Sequence, residues 1–212
     1  MPTKLLLSRE EYLASGIHIG MKQRTAQMKE FIYKIRPDGL AVLNLSKIDQ
    51  RIRTAAKFLT RASNIMIVSR KPVAIDAIKK FGELTGAKVV TGRFMPGTLT
   101  NPNYKKFFEA DAVIIVDTMT DIQALREAVK ARVPVIALCD TFNDTRDVDI
   151  VIPANNNSKR AVATLFWLLA REILKERDQI KSYQDFNYKI EDFAGGKLID
   201  EPRSSREFSQ EE

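Results

Sequence analysis

The sequence predicts an α/β fold, a flavodoxin-like or Rossmann-like three-layer sandwich with a five-stranded parallel sheet and an N-terminal extension made of a helix and a β-hairpin. The first reason is that short β-branched runs alternate with helical segments from residue 64 onwards. Strands of a parallel sheet are covered on both faces, so they read as continuous apolar runs joined by right-handed crossovers. The second reason is a long last helix whose uncharged stretch, 161–170, can contact two layers.

The N-terminal extension is predicted from two local signals. Residues 8–16 form a short helix because Ser8 and Glu11 have the spacing of a capping box and a glycine follows the last turn. A Pro-Asp-Gly turn then joins the apolar runs 31–36 and 40–44, a pattern typical of a β-hairpin.

The sheet and its helices follow in order along the chain. The predicted strands are 65–68, 88–90, 112–116, 134–139 and 150–152, and the predicted helices are 48–59, 73–85, 121–132 and 158–177. Beyond Lys181 the periodicity stops, which predicts an extension without a core of its own. The expected organisation is therefore residues 1–62 packed on the core, residues 63–178 as the α/β core, and residues 179–212 as a C-terminal extension.

The two halves of the chain carry opposite charge. Residues 1–110 contain 20 Lys and Arg against 8 Asp and Glu, a net charge of +12, whereas residues 111–212 contain 14 against 19, a net charge of −5. Positive charge concentrated in one half favours a polyanionic partner, and nucleic acid fits because phosphate neutralisation supplies much of its binding. The alternative is a chance asymmetry.

The sequence lacks the cofactor motifs of α/β enzymes. The first strand is followed by Ser69-Arg70-Lys71-Pro72, where a dinucleotide-binding protein needs three glycines, and no Walker-type loop occurs, so no cofactor is expected. His18 is the only histidine, which excludes a His-based metal cluster; it either packs locally or contacts a partner.

Three aspartates, Asp117, Asp140 and Asp144, stand near predicted strand ends, where enzymes place metal ligands and general bases. We interpret them as caps of the following turns because Thr and Asn residues surround them. The alternative is an enzyme for a phosphorylated small molecule with Asp117 and Asp140 as catalytic groups. Cys139 lies in an apolar run, which predicts a buried, unreactive thiol.

A cytoplasmic location is expected for two reasons. No stretch approaches the roughly 20 apolar residues that cross a bilayer, so no membrane partner is predicted. The first residues also become charged too soon for a secretory signal.

The segment 92–102 follows the second predicted strand, at the edge where α/β proteins usually bind ligands. Two glycines and two prolines restrict its backbone, while Arg93, Thr98, Thr100 and Asn101 offer hydrogen-bond donors. It contains no carboxylate, His, Cys or Lys that could act as acid, base or nucleophile. These features favour a surface that grips a large polyanion.

Three segments together resemble the S2 family of small-subunit ribosomal proteins. They are YLASGIHIG at 12–20, GRFMPGTLTN at 92–101, and IPANNN at 152–157 followed by WLLARE at 167–172. The resemblance covers about residues 8–177 and is strongest to the archaeal branch and its eukaryotic relative. It implies a flavodoxin-like core and a structural role between the head and the body of the small subunit. Bacterial members insert a long helical hairpin for which this chain has no room.

The resemblance also implies the partners and the binding surface. Small-subunit rRNA and neighbouring ribosomal proteins are the expected partners, with no catalytic residue and no small-molecule substrate. Guanidinium groups pair with phosphates, and amides and hydroxyls reach phosphate oxygens and 2′-hydroxyls. The expected rRNA-binding residues are Arg24, Arg36, Arg70, Arg93, Thr98, Asn101, Lys105, Lys106, Asn156, Lys159 and Arg160, with Lys22, Lys29, Lys34 and Lys71 as secondary candidates.

Overall fold

A computed structural model of the protein describes residues 5–196. The strands are β1 (Ile32–Ile35), β2 (Ala41–Leu43), β3 (Ile65–Ser69), β4 (Lys88–Thr91), β5 (Ala112–Ile115), β6 (Val135–Cys139) and β7 (Ile150–Pro153). The helices are α1 (Arg9–Ser15), α2 (Leu45–Thr60), α3 (Ile75–Thr85), α4 (Ile122–Lys130), α5 (Lys159–Glu176) and α6 (Ile190–Phe193).

The five strands β3 to β7 form one parallel sheet in the order β4-β3-β5-β6-β7, and β1 and β2 form an antiparallel hairpin. This order is that of a flavodoxin-like sheet, so the predicted fold class is confirmed. The central strands β3, β5 and β6 are buried along their whole length because both faces of the sheet are covered. The edge strand β4 is only half-buried.

Helices cover the sheet in two layers. On one face α5 packs against both α2 and α3, and the rings of Phe81 and Phe166 meet edge to face with centroids 5.4 Å apart. On the other face α4 packs against β5 and β6. The connection from β4 to β5 has no helix and runs beside α4, where it buries Phe94 and Leu99. The result is the three-layer arrangement that the alternating pattern predicts.

The N-terminal helix is closed by the predicted capping box. The Ser8 amide donates to the Glu11 carboxylate at 3.0 Å, and the Glu11 amide donates to the Ser8 hydroxyl at 3.2 Å. The Tyr12 hydroxyl, fully buried, donates to Asp49 Oδ1 at 2.9 Å and joins α1 to α2. Burial, together with the nearby Asp49 charge, raises the pKa of Tyr12 far above its usual value, so the phenol stays protonated.

Most element boundaries lie within two residues of the prediction, but the start of α2 and the segment 182–196 differ more. Helix α2 begins three residues before the predicted start because the Asn44 side chain caps it, accepting a hydrogen bond from the Ser46 amide at 3.0 Å. Residues 182–196 are packed rather than without a core, since Phe186 and Phe193 are buried and Trp167 donates to the Tyr188 carbonyl at 2.7 Å. The wide apolar arc of α5 supplies the surface on which they pack. Residues 197–212 of the predicted extension lie outside the described part.

Candidate nucleic-acid interface

The carboxyl edge of the parallel sheet gathers the loops that follow its strands, and the N-terminal loop 19–27 lies across the end of β6. The Met21 amide donates to the Thr141 hydroxyl at 3.0 Å, and the Thr25 amide donates to the Thr141 carbonyl at 2.9 Å. Any side chain at Gly20 would lie 2.4 Å from the Thr141 methyl group. Glycine is therefore required for this close approach.

A buried polar network lies directly beneath these loops, and Lys71 is its cation. The Lys71 ammonium lies 2.8 Å from Asp117 Oδ2 and donates to Asn156 Oδ1 at 2.8 Å and to Asn157 Oδ1 at 2.7 Å. Since the three N–H donors of the ammonium meet three acceptors, its charge is used inside the protein. The sequence analysis counted Lys71 as positive charge available to a ligand. The structure corrects this, because the Lys71 ammonium is bound to three acceptors inside the protein.

Two asparagine amides complete the network. Asn143 Nδ2 donates to Asp117 Oδ1 at 2.7 Å, and Asn156 Nδ2 donates to Asn143 Oδ1 at 3.0 Å. The Asn156 side-chain amide also donates to the carbonyl of Val116, just after β5, at 3.2 Å and to the carbonyl of Leu138, near the end of β6, at 3.3 Å. The network thus holds together the ends of neighbouring strands.

The aspartates of the edge serve the network and its turns. Asp117 accepts from the Met119 amide two residues on, and Asp140 accepts from the Thr141 amide, as the cap interpretation predicts. Burial opposes ionisation of Asp117, but the hydrogen bond and charge of Lys71 outweigh it and lower the Asp117 pKa. Burial raises the pKa of Asp140. Both carboxylates therefore have partners inside the protein.

Asp121 differs from its neighbours because one of its oxygens has no partner. Oδ1 accepts from the Arg70 amide at 2.9 Å, whereas Oδ2 is buried without a hydrogen bond. Burial, with the nearby charge of Asp117 adding to it, raises the pKa of Asp121 to about 6. This carboxyl group therefore keeps its proton to a higher pH than an exposed aspartate does.

The loop after β4 is held by a buried carboxylate on α4. Glu127 accepts from the Gly97 amide at 2.9 Å and from the Leu99 amide at 3.2 Å, and Gln123 binds the same carboxylate at 2.8 Å. Gly97 itself has φ +89°, a conformation that favours glycine. One carboxylate of α4 therefore holds two backbone amides of the loop in place.

Exposed cations form a rim above this buried layer. Arg24 lies on the loop across β6, Arg70 follows β3, and Arg93 follows β4; all three side chains are exposed. Lys159 and Arg160 begin α5, where Lys159 pairs with Asp76 at 2.8 Å and Arg160 is half-buried. The structure thus brings five of the predicted residues to one edge of the sheet, three on loops and two at the start of α5.

Two predicted binding residues are corrected because the structure buries them. The Thr98 side chain is 6% exposed, and its hydroxyl donates to the Met95 carbonyl at 2.7 Å. Asn156 is 0% exposed and belongs to the network. Neither side chain can reach a phosphate in this conformation, because each is closed off by its own loop.

The remaining predicted residues lie elsewhere. Asn101 is exposed, and its side chain accepts from the Asn103 amide at 3.1 Å. Lys105 and Lys106 are exposed where the β4–β5 connection returns toward the start of β5. Arg36 lies on the hairpin, where it pairs with Asp38 at 3.4 Å.

The sequence analysis did not identify two buried residues that hold the loops of this edge in place, Glu127 and Asn143. Glu127 lies 28 and 30 residues from the two amides that it binds, so no local pattern connects them. Asn143 carried a weak signal, since Asp140-Thr141-Phe142-Asn143 has turn composition and the Asp140 amide donates to Asn143 Oδ1 at 2.8 Å.

The buried cysteine is confirmed: Cys139 is 0% exposed, and burial raises the pKa of its thiol. His18 is half-buried and burial lowers its pKa. Within residues 5–196 no three His, Cys, Asp or Glu side chains gather as a metal site, and every helix there is too short or too polar to span a bilayer.

The fold and the edge define a class: a flavodoxin-like protein in which Asp117 and Asp140 are bound within the protein and an exposed rim of cations lies above them. Residues 12–110 and 103–176 match the family described as Ribosomal protein S2. The chain is 46% identical over 195 residues to the small ribosomal subunit protein uS2 of Thermoplasma acidophilum and, equally, to that of Thermoplasma volcanium. Each alignment covers 91% of this chain and 98% of the relative. The chain belongs to the Ribosomal protein S2 family and is of the archaeal type.

Proposed function

We propose that this protein is a structural constituent of the small ribosomal subunit, located in the cytoplasm, which binds rRNA through the carboxyl-edge rim and meets neighbouring ribosomal proteins elsewhere. The relatives named above are small-subunit proteins, and the rim has the chemistry that rRNA requires. The proposed position is between the head and the body of the subunit, where the protein supports assembly and translation. We also propose that the chain is organised as an N-terminal part packed on the core (residues 1–62), an α/β core (residues 63–178) and a C-terminal extension (residues 179–212).

One observation carries the proposal: the edge separates buried carboxylates from exposed guanidinium groups. Asp117 and Asp140 are turned inward, while Arg24, Arg70 and Arg93 are exposed above them. A phosphate backbone that approaches this edge meets cations without meeting free carboxylates from the network. Guanidinium groups then bind phosphates bidentately.

The first experiment asks where the protein resides. We expect it to sediment with small subunits in a sucrose gradient of a cell lysate and to leave them only when the salt concentration is high. A protein that stays at the top of the gradient in low salt contradicts the proposal. An enzyme that uses a phosphorylated small molecule has no reason to sediment with the subunit.

The second experiment tests the rim. We expect Arg93→Ala and Arg24→Ala each to weaken binding to small-subunit rRNA and to flatten the slope of log affinity against log salt by up to about one unit, because one phosphate contact is lost. Arg126→Ala is the matched control, since Arg126 is equally exposed but lies on α4. Equal slopes in all four proteins contradict the proposed orientation.

A further inference from the structure

The hairpin and α1 enclose a second surface, separate in composition from the carboxyl-edge rim. It is a groove of about 590 Å³ lined by thirteen residues, of which three are basic and none is acidic. The basic residues are Arg9, Lys34 and Arg36, all exposed. We call this surface the hairpin groove. Its charge is uniformly positive, yet it differs from the rim because its floor is apolar.

Exposed apolar side chains are frequent in the N-terminal part of the chain that carries the hairpin. Of the twelve large apolar side chains that are exposed within residues 5–196, five lie between residues 13 and 35. Two of them line the groove itself: Leu13, 46% exposed, and Tyr33, 67% exposed. Leu5 and Val42 continue the apolar floor. Apolar side chains gathered on one surface indicate a binding site for a partner that is itself partly apolar.

The backbone at the groove is also incompletely paired. Strand β2 is paired on both sides. One side pairs with β1. The other side pairs with the preceding loop, through a bridge between Ile19 and Val42 and a hydrogen bond from the Gly20 amide to the Ala41 carbonyl at 2.9 Å. Strand β1 pairs with β2 alone within the described residues. Its outer edge therefore presents backbone N–H and C=O groups that can accept another strand.

A β-bulge distinguishes this edge from an ordinary one. The register of β1 against β2 shifts between Ile32 and Lys34, which leaves Tyr33 as the extra residue. A bulge re-aims a side chain, and here Tyr33 is the most exposed large apolar side chain within the described part of the chain. Its ring offers an amphipathic anchor of the kind that dominates protein interfaces.

We infer that the hairpin groove binds an extended, acidic segment of a neighbouring ribosomal protein, which adds a strand to the outer edge of β1. Main-chain hydrogen bonds to β1 supply affinity, and the carboxylates of the segment pair with Arg9, Lys34 and Arg36. Its alternate apolar side chains contact Leu13 and Tyr33. The inference rests on the proposed function and names the class of protein partner that the subunit supplies at this surface. It also assigns Arg36 to a protein contact instead of an rRNA contact.

An extended polypeptide fits these observations better than a nucleic acid. Phosphates need only the exposed cations, whereas an apolar floor and a free strand edge are matched by aliphatic side chains and a peptide backbone. The Arg36–Asp38 ion pair is exposed and therefore weak, so a partner carboxylate can compete for the guanidinium group.

The experiment places a photoreactive benzoylphenylalanine at position 33 in place of Tyr33 and, in a second protein, at position 119 in place of Met119. Met119 is 55% exposed and follows β5 at the carboxyl edge. Both proteins are assembled into small subunits, irradiated, and the crosslinked products identified by mass spectrometry. We expect position 33 to crosslink to a polypeptide segment rich in Asp and Glu, and position 119 to crosslink to rRNA.

Charge reversal tests the same contact. We expect the double variant Lys34→Glu, Arg36→Glu to lower the yield of the polypeptide crosslink from position 33 at least about tenfold, because two charge-assisted contacts are lost. The matched control, Arg126→Glu with Lys130→Glu, makes the same charge change on exposed residues of α4 and leaves the yield unchanged.

The outcomes separate the two proposals. A crosslink from position 33 to rRNA, to residues 197–212 of this chain, or to nothing in assembled subunits overturns the inference and leaves the proposed function intact. Protein that enters no small subunit overturns the proposed function and, with it, the partner inferred here.

Discussion

The buried network and the exposed rim occupy the same edge of the sheet, yet they use charge in opposite ways. Lys71 and Arg70 are adjacent in the chain, but the Lys71 ammonium is enclosed by three acceptors while the Arg70 side chain is exposed. A cation of the first kind stabilises the fold, and a cation of the second kind is available to a polyanion. The number of basic residues on a surface therefore indicates how well it can bind a polyanion only after the residues that are paired inside the protein have been left out.

The largest effect is expected in the network. Asp117→Ala removes the buried carboxylate that binds the largely enclosed Lys71 ammonium and the Asn143 amide, so we expect the free energy of unfolding to fall by about 3–5 kcal/mol. The measurement is urea unfolding of the purified variant. Asp144→Ala is the control, because the Asp144 side chain is exposed and accepts from the Arg146 amide, a bond whose loss costs about 0.5–1 kcal/mol. A stable Asp117→Ala protein that fails in cells despite normal subunit incorporation would support the catalytic alternative.

The second effect depends on pH. Because the Asp121 pKa is raised to about 6 in the folded protein, the folded state binds more protons than the unfolded state between about pH 4 and pH 6. Its contribution to the free energy of unfolding is therefore greatest below pH 4 and falls, by up to about 3 kcal/mol, as the pH rises to 6 and above.

Asp121→Asn tests this contribution. Asparagine keeps an acceptor for the Arg70 amide but does not titrate, so we expect the variant to lose the part of the pH dependence that Asp121 supplies. Unfolding is followed from pH 4 to pH 7 for both proteins. Asp147→Asn, at an exposed position, provides the comparison. Parallel curves for wild type and Asp121→Asn would show that Asp121 does not titrate in this range.

A smaller loss of stability is expected when Glu127, which holds the loop that carries Arg93, is changed. Glu127→Gln keeps one acceptor oxygen and replaces the other with an NH2 donor, so one of the hydrogen bonds from the Gly97 and Leu99 amides is lost, which should cost about 1–3 kcal/mol of unfolding free energy. Hydrogen exchange of these two amides should become faster. Glu83→Gln, which alters an exposed pair with Lys80, should change stability by no more than about 1 kcal/mol. Unchanged exchange at Gly97 would contradict the clamp.

The smallest stability effect belongs to the rim itself. Arg93→Ala should change the free energy of unfolding by within about 0.5 kcal/mol, since Arg93 is exposed and away from the network. Its effect should appear only in the salt dependence of rRNA binding. Thermal unfolding of Arg93→Ala beside Lys71→Ala gives the contrast directly, because the lysine variant leaves Asp117 buried without its cation. Similar losses in the two variants would remove the distinction between network and rim.

Much of the fold could be predicted because its signals are local. The capping box at Ser8, the Pro-Asp-Gly turn and the apolar run that buries Cys139 each depend on neighbours within a few residues, and each is confirmed. Helix α2 shows that periodicity alone is not sufficient: it located the body of the helix, whereas the beginning is set by the Asn44 cap, a second local signal. The packed segment 182–196 has no periodicity of its own, since its apolar side chains are placed by the surface of α5.

The candidate site was less predictable from the sequence. Side chains such as Arg93 and Thr98 lie five residues apart in one polar loop and read alike, but the clamp from Glu127 holds the loop so that Arg93 is exposed and Thr98 is buried. Asn156 likewise reads as a loop amide, while the structure places it at the centre of the network.

The fold class, the order of the elements, the burial of the strands and the resemblance to a ribosomal protein family could all be predicted from the amino-acid sequence. These follow from apolar periodicity and short motifs, which involve residues close together in the chain. Which charged side chains are exposed to a partner, and which are paired inside the protein, depends on the tertiary structure. That choice depends on pairs such as Lys71 with Asp117 and Leu99 with Glu127, which meet only after the sheet has brought distant loops to one edge. In a buried position a partner within hydrogen-bond distance determines whether a polar group stabilises the fold, and sequence spacing does not encode that distance.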